Sequence, residues 1–124
     1  MKWHDGKPFT AKDVQCTWHM LIGKGDVQDF RKNPRKIWYS KLQEVTVNGE
    51  HEATFHLKEP QPGLLMLLAS GFSAVYPCHV PQQAMRTRPV GTGPFKFVEF
   101  KRGESIRLVR NPDYWKKDRP YLDE

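Results

Sequence analysis

Five histidines, two cysteines, 14 carboxylates and a scatter of serines are the side chains of this 124-residue chain that could do chemistry. Cys16 and His19 stand one helical turn apart, and Cys78 and His79 are neighbours, so together they supply the thiolate and imidazole donors that zinc prefers. Adjacent side chains of an extended passage point to opposite faces, which keeps Cys78 and His79 from reaching one ion. No metal centre is expected. Neither cysteine belongs to a Cys-x-x-Cys motif, so the usual thiol-redox and zinc-ribbon signatures are missing. Ser70, Ser73, His56 and Asp5 are the residue types of a nucleophilic triad, but no Gly-x-Ser-x-Gly elbow surrounds either serine. Gly91-Thr92-Gly93 lacks the Gly-Lys-Ser/Thr ending of a P-loop and the longer glycine spacing of a dinucleotide loop. These glycines are better read as permitting a sharp turn before a strand at Phe95. His4-Asp5-Gly6 reads as a turn with Trp3 packed inside. The expectation is a protein that is not an enzyme and needs no cofactor.

The elements that must carry these residues are legible in outline. Thr10 is a good N-cap with Asp13 three residues on, as in a capping box, and Val14, Trp18, Leu21 and Ile22 form an apolar stripe at helical spacing. Gly23 and Gly25 end that helix. The charged, proline-containing stretch from Lys24 to Ser40 reads as a loop with short helical turns around Val27 to Lys32 and Arg35 to Trp38. Strands at 43–47 and 53–58 flank Asn48-Gly49-Glu50, whose Asn-Gly pair suits a tight hairpin turn. Ala53, Phe55 and Leu57 should face the core and Glu52, Thr54 and His56 should face outward. Gly63 to Ser70 is apolar nearly all round, which predicts a short buried helix starting after Pro62.

Ser73 to Val80 is expected to be extended and Pro81 to Met85 a single turn. A second hairpin follows, with strands at 95–101 and 105–110 and Arg102-Gly103-Glu104 between them. Its alternation slips, since Phe95 and Phe97 share one face while Val98 and Phe100 share the other, which predicts a bulge or burial on both sides. Asn111-Pro112 ends the strand, after which Tyr114, Trp115 and Tyr121 are placed to pack back. The economical fold is α+β, with a mainly antiparallel sheet of about four strands and two or three short helices.

Composition sets the outer bounds. With 38% apolar and 12% aromatic residues the chain has enough material for a core, whereas 27% charge and a mean hydropathy of -0.71 argue against a membrane span. The longest apolar run, Leu64 to Ala69, is far short of the roughly 20 residues a spanning helix needs. Met1-Lys2 is followed by Trp3, His4 and Asp5 rather than by the apolar run of a signal peptide. The net charge of +6 invites a nucleic-acid reading. Basic residues are concentrated between Lys24 and Lys41 but also spread from Lys96 to Lys117, the pattern of a solvated basic surface, and no nucleic-acid partner is expected.

The phrases Lys2-Trp3-His4-Asp5-Gly6-Lys7-Pro8-Phe9-Thr10-Ala11-Lys12-Asp13-Val14, Val90-Gly91-Thr92-Gly93-Pro94-Phe95 and Arg110-Asn111-Pro112-Asp113-Tyr114-Trp115, in that order, resemble the family 5 extracytoplasmic solute-binding proteins, the peptide and nickel receptors of ABC importers. The resemblance covers essentially the whole chain. It implies that residues 1–124 are a single subdomain of a larger two-lobed periplasmic receptor, the extra subdomain inserted into the first lobe. It further implies capture of an oligopeptide or similar small solute for delivery to an ABC permease. No ligand of the nickel-binding relatives maps onto a residue here.

In such a receptor the part expected to approach the cleft is Ser70, Gly71, Phe72, Ser73 and Tyr76, where small residues and aromatic tips could line a pocket. The oxidising periplasm implied by the resemblance leaves two states open for Cys16 and Cys78, a long-range disulfide or two separately buried thiols. The alternatives are an isolated structural subdomain that binds nothing by itself and a basic polyanion-binding module; apolar surface bared by truncation would let the fragment pair into a dimer.

Overall fold

The computed structural model describes residues 1–24 and 34–124; the turn expected around Val27 to Lys32 lies outside the described residues. The chain divides into two compact units. Thr10–Cys78 forms one, inserted between the two segments of the other, Met1–Phe9 and His79–Glu124.

The inserted unit begins with helix α1, Ala11–Ile22. Its start is the expected capping box. Thr10 is extended, and its backbone N–H donates to Asp13 Oδ2 at 3.0 Å, so a first-turn donor that the helix cannot satisfy is satisfied by a side chain. At the other end Gly23 has φ +79°, the left-handed conformation that lets a helix turn off without a Cβ clash. After a 3-10 helix at Pro34–Tyr39 come strands β1, Leu42–Gly49, and β2, Glu52–Leu57, paired antiparallel. Helix α2, Leu64–Leu68, follows.

The core of this unit is built from Trp18, Tyr39, Leu42 and Val45, with Val14, Leu21, Ile22, Ala53, Phe55 and Leu57 packed against it. The helical stripe and the strand alternation therefore meet as their periods require. Trp18 sets its ring edge-on to Phe55 at 5.1 Å and to Tyr39 at 6.1 Å, a favoured aromatic geometry. Two polar side chains of α1 seal the outer edge of β1: Gln15 Nε2 donates to the Val45 carbonyl at 2.8 Å, and the Val45 N–H donates to His19 Nε2 at 3.2 Å. Both ladder groups that β2 does not use are thereby occupied.

Two expectations for this unit need correction. The turn of the hairpin is Glu50-His51, not Asn48-Gly49, because Gly49 still pairs with Glu52. The Asn48 amide instead bonds across the strands to Thr54 Oγ1 at 2.7 Å and to Glu52 at 3.2 Å, and the Ala11 N–H holds the Glu50 carbonyl at 2.8 Å. Helix α2 is not buried all round. Leu64, Leu67 and Leu68 pack on the core, while Leu65 and Met66 are exposed on the opposite side.

In the other unit helix α3, Gln82–Thr87, precedes strands β3, Phe95–Lys101, and β4, Ser105–Arg110. The expected slip in β3 is a bulge at Val98, between the pairs Phe97 with Leu108 and Glu99 with Arg107. The four strands are all antiparallel, and they lie in two two-stranded sheets. Trp3 is buried, with Phe9 at 5.3 Å and the His79 ring edge-on at 6.4 Å. Tyr114 is half-buried, but Trp115 and Tyr121 do not pack back as expected. Both are exposed beneath cations, Lys116 over the Trp115 ring and Arg119 over the Tyr121 ring.

Candidate functional site

The residues expected to face a cleft, Ser70 to Tyr76, all follow α2 in the inserted unit, and the structure divides them by role. Ser73 is buried and its hydroxyl is fully engaged, with Tyr39 Oη, the Leu67 carbonyl and, at 3.2 Å, Ser70 Oγ. Ser70 in turn donates to the Leu67 carbonyl at 2.7 Å, closing the end of α2. These two serines hold the segment to the core and have little left to offer a solute. Phe72 and Tyr76 present side chains to solvent, and Gly71 has open space around its Cα.

What the sequence did not reveal is the neighbourhood of Phe72. Its ring lies edge-on to Trp38 at 5.8 Å and beneath the Arg35 guanidinium at 4.6 Å. Trp38 is in turn positioned by Gln61, whose Nε2 donates to the Trp38 carbonyl at 3.0 Å. Two exposed aromatic edges and a planar cation on adjoining elements form a surface that can stack on flat groups and pair with a carboxylate. The only sequence signal for it was the aromatic content of the turn at Arg35 to Trp38, and nothing local tied that turn to position 72. A cleft of about 240 Å3 in the same unit is lined by Ile22, Lys24, Lys36, Tyr39, Ser40, Leu42, Gln43 and Lys58, with Lys24 facing Glu44 at 3.8 Å.

The residues that suggested metal or triad chemistry have structural roles. Cys16 and Cys78 are bridged, with Cα atoms 6.3 Å apart. His19 accepts the Val45 N–H, and His56 bonds Thr46 Oγ1 at 2.8 Å. Among the described residues no group of three or more ligating side chains converges. His79 Nε2 meets Asp5 Oδ2 at 2.6 Å, and the Lys7 N–H bonds Asp5 Oδ1 at 3.1 Å. Partial burial alone would raise the Asp5 carboxyl, but these hydrogen bonds and the positive charges behind them hold it below the ordinary carboxylate range.

His4 pins the glycine corner. Its backbone N–H donates to the Gly91 carbonyl at 2.8 Å; on the ring, Nδ1 accepts the Gly91 N–H at 3.2 Å and Nε2 faces the Gly93 carbonyl at 3.0 Å. One nitrogen accepts and the other donates, which is the pattern of the neutral Nε2–H tautomer. Asn111 completes the corner, donating Nδ2 to Gly93 at 3.1 Å and its N–H to Pro94 at 2.8 Å. The loop is thus spent on protein contacts rather than left open for a phosphate.

Comparison with known proteins gives this arrangement its context. The chain is 36% identical over 133 residues to the oligopeptide-binding protein AppA of Bacillus subtilis (strain 168), covering 99% of this chain and 23% of that protein. It is 30% identical over 131 residues to a peptide-binding ABC transporter protein of Brucella ovis described as putative, covering 99% and 24%. The structure of the B. subtilis AppA in complex with a nonapeptide superposes with a TM-score of 0.79 at 37% identity, covering 98% of this chain and 25% of that one. AgaA from A. tumefaciens R10, solved in complex with agropinic acid, superposes with a TM-score of 0.84 at 28% identity, covering 98% and 24%. The chain thus spans about a quarter of the length of the relatives it matches. The description "Bacterial extracellular solute-binding proteins, family 5 Middle" matches residues 1–124, and the chain belongs to that family.

Proposed function

We propose that this chain is part of the substrate-binding component of an ABC importer, which captures an oligopeptide or similar small solute and hands it to the membrane permease. The observation that carries this reading is the match of the whole chain to the family, joined to its 36% identity with an oligopeptide-binding protein. The work is capture, not catalysis: a two-lobed receptor closes on its solute, and the closed form is what the permease meets. The extracellular character of the family agrees with a periplasmic site of action. Residues 1–124 act in this scheme as one subdomain of the receptor.

Within it, Phe72 and Tyr76 supply a wall of the solute cleft, extended by Trp38 and Arg35, while Gly71 leaves backbone accessible and Ser70 and Ser73 hold the wall in place. In the chain alone, the apolar residues exposed on β3 and β4 supply the surface through which two copies pair.

The test is calorimetry with a di- to nonapeptide library on two proteins: this chain, and B. subtilis AppA carrying residues 1–124 in place of its own matching segment. Binding by the chimera and not by the chain alone is the expected outcome. A folded chimera that binds no peptide removes peptides as the solute class, and tight binding by the chain alone moves the site into this unit entirely.

A further inference from the structure

We propose that one face of α1 is a clasp that closes the inserted unit at its neck, and that the disulfide in it opens reversibly to a dithiol arriving from solvent. Asp13, Cys16 and Thr17 stand at i, i+3 and i+4 and share a face of α1. The core stripe of Val14, Trp18, Leu21 and Ile22 occupies the other side. The chain leaving the unit meets the Asp13 face at successive points. The Tyr76 N–H donates to Thr17 Oγ1 at 2.9 Å, and that hydroxyl donates on to the Asp13 carbonyl at 2.7 Å. The Cys78 N–H donates to Asp13 Oδ1 at 3.3 Å, while Asp13 Oδ2 holds the Thr10 N–H. A single buried carboxylate therefore grips both the first and the last residue of the unit Thr10–Cys78, and the Cys16–Cys78 bridge locks the grip covalently.

Asp13 and Thr17 are buried and Cys16 is half-buried, but Cys78 is exposed, so the bridge is approachable from the Cys78 side. A thiolate of a dithiol attacks the Cys78 sulfur and the S–S bond breaks. The bonding pair leaves on the Cys16 sulfur, which takes up a proton. The second thiolate of the reagent then displaces Cys78, which is also protonated, and the reagent closes into its own cyclic disulfide. Two electrons and two protons have passed to the protein. What remains at residues 76–78 is the buried Pro77 ring and a pair of hydrogen bonds, while the core around Trp18, Tyr39, Leu42 and Val45 keeps its packing. Reduction accordingly loosens the exit of the unit, next to Phe72 and Tyr76, and leaves its core in place.

Amide hydrogen exchange of the 124-residue chain, followed residue by residue with and without dithiothreitol, tests this. Exchange at Tyr76 and Cys78 should accelerate on the order of tenfold or more on reduction, Val45 and Phe55 should retain most of their protection, and oxidised glutathione should restore the slow rates. Cys16→Ser should reproduce the reduced pattern without any reagent, and Thr17→Val in the oxidised chain should speed Tyr76 more than Val45. A uniform acceleration across the unit would make the bridge a general stabiliser and overturn the proposal. So would unchanged exchange at Tyr76 and Cys78 after complete reduction, or a bridge that dithiothreitol cannot reduce in the folded chain.

Discussion

The two hairpins of this protein are built alike and housed differently. Each pairs two short antiparallel strands through a tight turn, and each has a register irregularity. In β1–β2 Val45 is completely buried, whereas in β3–β4 Phe100 and Ile106, which face one another across the strands, are 58% and 64% exposed. The edges differ as well. Val45 gives both its outward backbone groups to Gln15 and His19, while the outer side of β4 is met at Arg110, whose N–H reaches the Asp123 carbonyl at 2.7 Å. What distinguishes them is an amphipathic helix beside one and none beside the other within its own unit. A two-stranded hairpin is marginal alone, so cover decides where stability resides.

If that contrast is right, the largest effect comes from the covered side. Val45→Asp, which buries a charge with no partner, should cost at least about 3 kcal/mol and in practice unfold the inserted unit. Phe100→Ala should change stability by less than about 1 kcal/mol, because little area is removed from water there. Urea unfolding of the two variants breaks the contrast if their midpoints shift equally. An intermediate effect is expected at the edges: Gln15→Leu, which leaves the Val45 carbonyl without its donor, should cost about 1 kcal/mol. Arg110→Leu, at an exposed ion pair with Asp123, should cost less than about 0.5 kcal/mol in the same assay.

The smallest effect is a dependence on acid. The Asp5 carboxyl is held below its ordinary range when folded, so its contribution is fully present above the unfolded value near 4 and is lost as pH falls through the lower, folded one. Asp5→Asn should therefore differ from the parent at neutral pH and converge with it below about pH 4. A difference that persists undiminished in acid would mean the carboxylate is not what His79 and Lys7 recognise.

Much of this was readable from short-range pattern. The Thr10–Asp13 capping box, the Val14–Trp18–Leu21–Ile22 stripe, the alternation of Ala53, Phe55 and Leu57, and the slip at Val98 each depend on residues within one or two turns or strands. The errors came where distant partners decide. Asn48-Gly49 has the local preference of a turn, but the Asn48 amide gains cross-strand bonds to Glu52 and Thr54 and α1 grips Glu50, so the turn moves on by two residues. Leu65 and Met66 are as apolar as Leu64 and Leu67, and composition alone could not say which side of α2 had a neighbour. The same limit applies to the wall: Phe72 was visible as a single aromatic, yet its pairing with Trp38 and Arg35 spans more than thirty residues of chain.

In the function proposed above, solute meets the Phe72 side of the inserted unit. The most direct measurement is a nonapeptide titration of the AppA chimera followed by aromatic and methyl NMR signals. Saturable shifts are expected at Trp38, Phe72 and Tyr76 with Phe100 and Ile106 unmoved; shifts at Phe100 and Ile106 with none at Phe72 would move the solute away from this wall and overturn the proposal.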